Sequence, residues 1–207
     1  MRLELLGPPG AGKGTQGQAL AQIYGVPHVA TGDILRDHIA RQTEFGLRIE
    51  AAIAAGNFAS DQDILYWVSR RLADPDTQGG YILDGFPRDV AQAEAFGQPL
   101  DAVIDLEIAE KSLIERLSGR LVCPVCDTVY NTQHHPPKRI GICDKDGTGL
   151  VRRPDDEPES VRRRLLVYRD LTEPLRSYYA QRGLIRRVDA TGSPEAVTKR
   201  IQDALAK

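Results

Sequence analysis

Cysteine is scarce in this chain: Cys123, Cys126 and Cys143 are the only three. An odd, closely spaced set argues against a disulfide framework and fits a metal site in a reducing compartment, so a cytoplasmic location is expected. Net charge is nearly absent too. Lys and Arg number 27 against 29 for Asp and Glu, a balance of −2. Such a balance gives no sign of a polyanion binder, so any phosphate site must come from local clustering of Arg and Lys. Long apolar runs are missing, and none approaches the length that spans a bilayer. The opening Met1-Arg2-Leu3-Glu4-Leu5-Leu6-Gly7 is too short and too charged for a signal peptide and reads as a strand that starts at once. Internal repeats and low-complexity tracts are also lacking.

What is present is ordinary globular composition. Of 207 residues, 41% are hydrophobic and 27% charged, enough to bury a sizeable core. Short apolar runs alternate with helical patterns, which predicts a parallel sheet with helices on both faces. Strands are expected at Arg2 to Leu6, Pro27 to Ala30, Tyr81 to Leu83, Ala102 to Leu106 and Ile185 to Val188. Helices are expected at about Lys13 to Tyr24, Asp61 to Ala73, Val90 to Phe96, Ala109 to Leu117, Pro158 to Gln181 and Ser193 to Ala206. Two stretches break this rhythm. Residues 30–59 read as short helices with no strand, and residues 119–156, rich in Cys, Gly, Pro and Asp, read as a small insertion.

Gly7-Pro8-Pro9-Gly10-Ala11-Gly12-Lys13-Gly14-Thr15 follows the first strand and opens a helix. Its first seven positions match the phosphate-loop pattern G-x-x-x-x-G-K. Glycines let backbone N–H groups turn toward phosphates, and the helix N-terminus favours anions. Lys13 reaches the β- and γ-phosphates. The usual Ser or Thr after the lysine, which binds Mg²⁺, is replaced by Gly14; the hydroxyl comes at Thr15, better placed for an α-phosphate. Magnesium would then be held mostly by phosphates and water, with Asp84 the natural carboxylate to order those waters and Asp33 the second choice.

Thr31-Gly32-Asp33-Ile34-Leu35-Arg36, Asp84-Gly85-Phe86-Pro87-Arg88 and Gln92 follow in order. With the Lys13-Gly14-Thr15-Gln16 ending of the phosphate loop, they make the sequence resemble the adenylate kinases over essentially its whole length. That family converts ATP and AMP reversibly into two ADP. The resemblance implies a P-loop NTPase-type α/β fold with a five-stranded parallel sheet. Its core would be residues 1–29, 60–118 and 157–207, its AMP-binding helical flap 30–59 and its lid 119–156. It implies AMP held by Thr31, Arg36, Gly85, Phe86, Pro87 and Arg88, with both arginines on the phosphate. The Asn57, Phe58 and Ala59 backbone would line the adenine pocket, and the Gln92 amide would bond the adenine edge. Such an amide offers a donor and an acceptor side by side. ATP would rest on Gly10 to Thr15, with Arg116 near its base, Val129 and Tyr130 covering the ring and Gly192 contacting adenine through its backbone. Arg120, Arg153 and Arg164 would face the transferring group with Lys13 and Arg88. On helical spacing at most two of Arg162, Arg163 and Arg164 can point at one site; Arg164 is preferred, with Arg162 next. Phosphoryl transfer needs positioning and charge neutralisation more than covalent chemistry. The AMP phosphate is already ionised, so no general base is required.

Cys123-Pro124-Val125-Cys126, sixteen intervening residues and Cys143-Asp144-Lys145-Asp146 form a pair of knuckles at structural-zinc spacing. Asp146 keeps the knuckle spacing; Asp144 competes, and His134 and His135 suit it less well. Adenylate kinases of the Gram-positive type with a zinc lid show the same aspartate. Closure of the two flaps would exclude water, and lid opening would limit turnover, an expectation that a zero viscosity dependence of kcat would contradict. The expected partners are the diffusible nucleotides ATP, AMP and ADP, met by a monomer with no nucleic acid or membrane. Two other readings stand beside this one: a UMP or CMP kinase of the same fold, and a nucleic-acid-binding zinc ribbon on a phosphate-loop scaffold.

Overall fold

The computed structural model describes residues 1–54, 57 and 59–206, with Pro154 described in its backbone only. The strands are β1 (Arg2–Leu6), β2 (His28–Ala30), β3 (Tyr81–Asp84), β4 (Ala102–Glu107), β5 (Arg120–Val122), β6 (Val129–Asn131) and β7 (Ile185–Asp189). The helices are α1 (Lys13–Tyr24), α2 (Thr31–Ala40), α3 (Glu44–Ala54), α4 (Asp61–Leu72), α5 (Val90–Phe96), α6 (Glu110–Ser118), α7 (Pro158–Val167), α8 (Leu175–Ala180) and α9 (Pro194–Leu205). Five strands pair in parallel in the order β2-β3-β1-β4-β7. The connections run outward on opposite sides of β1, so the crevice beyond its carboxyl end is a topological switch point, where open α/β sheets place ligands.

Covering both faces explains why the strands read as apolar runs. Leu3, Leu5, Ile104, Leu106 and Val188 pack with Leu20 of α1 and Val197 and Ile201 of α9. Leu6 and Val103 point the other way, onto Ala93 of α5 and Leu175 and Tyr179 of α8. Two acids break the pattern. Glu4 is 1% exposed, and neither carboxyl oxygen has a well-formed hydrogen bond among the described residues. Asp105 is fully buried but meets Arg176 at the start of α8, with Nε to Oδ2 at 2.8 Å.

Within the 30–59 stretch the described residues form two helices and no further strand after β2, as expected: α2 and α3 pack at Gly46, where any Cβ would overlap the His38 carbonyl. Phe45 and Ile49 of α3 join Leu35 of α2 and Ile64 and Val68 of α4 in a second core. The insertion contains a two-stranded antiparallel sheet, β5 with β6, which the sequence reading did not foresee. The single helix expected from Pro158 to Gln181 is divided. α7 runs into a π-type turn at Tyr168–Thr172, closed by the Glu173 N–H on the Tyr168 carbonyl, and α8 starts after Pro174. Proline has no N–H to continue the α ladder, so the helix changes its winding there. Among the described residues no helix is long and apolar enough to cross a membrane.

Candidate active site

The crevice at the end of β1 is a cleft of about 700 Å³. The phosphate loop forms its floor. Gly12 caps α1 with φ 101°, a left-handed conformation open to glycine at little cost, and α1 has no side-chain cap. Its first N–H groups are therefore available to an anion. Lys13 is folded back on its own loop and donates to the Gly7 and Pro8 carbonyls at 2.7 and 3.2 Å. Burial pushes its pKa down to about 8; Asp84 opposes the fall and Arg164, Arg88 and Arg120 add to it. Nucleotide phosphates would oppose that shift, since their negative charge beside the amine favours its ammonium form.

Asp84, ending β3, lies beside the floor, with its Oδ2 3.5 Å from His28 Nε2. Burial raises its pKa, but the His28 hydrogen bond and Lys13 overcome that and hold it below the usual carboxylate range. It is thus an anion against the loop, suited to ordering the waters of a nucleotide-borne cation. Asp33 has another partner, forming an ion pair with Arg36 one turn along α2.

Six arginines and two lysines line the cleft against five carboxylates. Arg88 donates through Nε to the Gly85 carbonyl at 2.8 Å and through a terminal nitrogen to Thr31 Oγ1 at 3.3 Å. Burial, then Arg164, depresses its pKa to about 10; burial, then Arg36 and Arg120, does the same to Arg153. These guanidiniums are close enough to repel one another, yet Arg88 and Arg153 remain protonated at neutral pH. Arg120 and Arg164 are held by Asp155 and Asp156, with Arg164 2.7 Å from Asp155 Oδ2 and Arg120 Nε 2.7 Å from Asp156 Oδ2. Both aspartates follow Arg152-Arg153 across the single residue Pro154, a reversal of charge that could have flagged them. Arg162 and Arg163 are exposed. Arg116 spans the loop carbonyl of Ala11 at 3.3 Å and that of Ala190 at 2.8 Å, joining the floor to the segment after β7.

Gly10 to Thr15, Thr31, Arg36, Asn57, Gly85, Pro87, Arg88, Arg116, Arg120, Val129, Tyr130, Arg153, Arg164 and Gly192 all line this one cleft. Three expected contacts are not on its wall. Ala59 and Phe86 are buried in the second core, and Gln92 is 4% exposed behind Arg88. Phe58 lies outside the described residues. Leu35, Ile53, His134, His135 and Tyr168 also line the cleft without a prior signal.

The knuckles converge as well. One donor atom each from Cys123, Cys126, Cys143 and Asp146 lies within 4.8 Å of the others. The Cys126 and Cys143 sulfurs are 3.5 Å apart, against about 3.8 Å for two thiolates on tetrahedral zinc. Asp144 is drawn aside, accepting from the Lys138 N–H at 2.9 Å. His135 stacks on Tyr130 instead of joining the cluster. Donor set and spacing therefore fit a closed structural zinc site.

The sequence profile of the adenylate kinase family matches residues 5–184. An adenylate kinase of Anaeromyxobacter sp. (strain Fw109-5) is 48% identical, over 97% of this chain and 99% of that protein. Adenylate kinases of Moorella thermoacetica and Streptomyces coelicolor are 45% and 44% identical over the whole of this chain, each over 99% of that protein. With a phosphate loop, a converging set of arginines and matches of this length, the chain belongs to the adenylate kinase family.

Proposed function

We propose that this protein transfers the terminal phosphoryl group of Mg·ATP to AMP, reversibly, giving two ADP. The observation that carries this reading is the grouping of Lys13 with Arg36, Arg88, Arg120, Arg153 and Arg164 in one cleft. Two nucleotides bring more negative charge than a phosphate loop alone neutralises, and the transferring group must be held between donor and acceptor oxygens. In this reading the loop and Thr15 hold the ATP phosphates, and Arg116, Val129, Tyr130 and Gly192 surround its base. Thr31, Arg36 and Arg88 hold the AMP phosphate. Arg164 and Arg120 leave Asp155 and Asp156 to meet the transferring group beside Arg153, so each carboxylate keeps a guanidinium oriented until substrate arrives. The planar fork of arginine suits this exchange between bidentate partners.

Residues 30–59 act as the acceptor flap and 119–156 as the lid, both on a core of 1–29, 60–118 and 157–207. Zinc on Cys123, Cys126, Cys143 and Asp146 supplies stability that so small a lid cannot obtain by burying apolar surface. The protein works as a cytoplasmic monomer on diffusible nucleotides, without nucleic acid or membrane. The test is ADP formation from Mg·ATP with AMP, UMP, CMP and GMP offered separately. Turnover with AMP alone is expected. A pyrimidine acceptor would overturn the acceptor assignment, and no turnover with any of the four would favour a binding role for the zinc insertion.

A further inference from the structure

Gln92, on the first turn of α5, is gripped at both ends of its amide. Its Oε1 accepts from the Arg88 backbone N–H at 2.9 Å. Its Nε2 donates to Asp61 Oδ1 at 2.6 Å. Neither partner can reverse its role, because a peptide N–H only donates and a carboxylate only accepts. The orientation of the amide, ordinarily interchangeable, is therefore dictated. One Nε2 hydrogen and one Oε1 lone pair remain for another partner. Asp61 has no capping duty to explain its place: Ser60 caps α4 by accepting from the Asp63 N–H, and Asp89 caps α5 by accepting from the Gln92 N–H. Asp61 lies four residues beyond Asn57, which lines the cleft, so its carboxylate ties the end of the 30–59 stretch to the segment that carries Arg88.

We propose that Asp61 is a positioning residue for acceptor specificity, which holds the Gln92 amide in the sense that suits adenine and opposes 6-oxopurines. This rests on the reading above together with the base contact that the family resemblance implies for Gln92, which lies directly behind the cleft-lining Arg88. Adenine presents an amino donor beside the N1 acceptor; hypoxanthine presents the O6 acceptor beside an N1–H donor. The two edges are reversed, so an amide fixed in one sense pairs with the first and sets donor against donor on the second. Without Asp61, the amide keeps one hydrogen bond among the described residues, the neutral one to the Arg88 N–H, and such bonds contribute about 1 kcal/mol.

The test compares kcat/KM for AMP and IMP, with Mg·ATP, in the parent and in Asp61→Ala, Asp61→Asn and Gln92→Ala. Asp61→Ala is expected to lower the AMP-to-IMP ratio by at least about tenfold, mainly through KM. Asp61→Asn keeps an acceptor oxygen and should stay within about threefold of the parent. Asp61→Ser, too short to reach the amide, should repeat the alanine result and serves if the alanine variant folds poorly. A merely structural role would depress both acceptors in parallel and leave the ratio unmoved, which would overturn the proposal. The failures are distinguishable. A parent that does not phosphorylate AMP overturns the functional reading. An unchanged ratio in Gln92→Ala removes the base contact, and the proposal with it. A collapse in Gln92→Ala but not in Asp61→Ala or Asp61→Ser leaves the base contact standing and overturns the role of Asp61 alone.

Discussion

Glu4 sits opposite Leu83 and Val103 in the middle of the parallel sheet, almost wholly buried and without an ion-pair partner among the described residues. Burial raises its pKa well above the usual 4.5, and the Tyr179 hydroxyl offsets only part of that. The linkage sign follows. Above pH 4.5 the unfolded chain has lost this proton while the folded chain keeps it, so this residue's contribution to stability falls as pH rises toward the folded pKa. Glutamine cannot titrate. Glu4→Gln should match the parent near pH 4.5 and exceed it by about 1–3 kcal/mol at pH 8, measured by urea unfolding at both values. An equal difference at both pH values would show that Glu4 ionises freely in the fold. No local pattern signals this burial. An acid in a short strand is ordinary until the covering helices are known, and α8, which covers Glu4, is more than 170 residues away. Lys13 and the three cysteines were legible because their meaning lies in spacing along a few residues. The Asp61–Gln92 bond, like Asp105 with Arg176, joins separate elements and leaves no local pattern.

At the level of elements, the strands and most helices of the core were readable from apolar runs and caps, with ends shifted by a few residues. Where the expectation failed, the cause was a local backbone rule outweighed by periodicity: Pro174 interrupts an otherwise continuous helical pattern, and the π-type turn before it brings Tyr168 and Thr172 to the cleft. The small β5–β6 sheet was missed because its strands are three residues long and flanked by turn residues. That sheet buries little beyond Cys123, Tyr130 and Cys143, with Leu121, Cys126 and Leu150 packed against them. So few apolar groups cannot hold a fold, and the four-ligand cluster must supply the rest. The purified protein should carry one zinc per chain by elemental analysis. A strong chelator should expose the three thiols to a colouring reagent and lower the first thermal transition while the parallel sheet persists. Asp146→Ala should weaken zinc binding by at least about 100-fold, and acid should release the metal as the thiolates take up protons. Thiols that stay unreactive after complete zinc removal would show that packing alone maintains the insertion.

Over the whole molecule, charge is segregated. The net charge is −2, and taken as a uniform sphere such a protein repels nucleotides. Yet the cleft concentrates six arginines and two lysines against five carboxylates, of which Asp155 is already engaged by Arg164 and Asp33 by Arg36. A low-dielectric cleft focuses the field of its lining, so an approaching anion feels the cleft and not the average. The two pictures differ in sign, which makes them separable. If net charge governed encounter, added salt would screen a repulsion and raise kcat/KM for AMP. If the cleft governs it, salt screens an attraction and kcat/KM falls. Between about 20 and 200 mM NaCl the Debye length shrinks from roughly 20 Å to roughly 7 Å, so the far field is lost while direct contacts survive. We expect kcat/KM for AMP to drop several-fold over that range, with kcat nearly constant because bound substrate is already inside the screening distance. Replacing surface cations remote from the cleft, such as Lys199 on α9, should leave this salt slope unchanged, whereas Arg36→Gln should flatten it. A rise of kcat/KM with salt would place control of encounter outside the cleft.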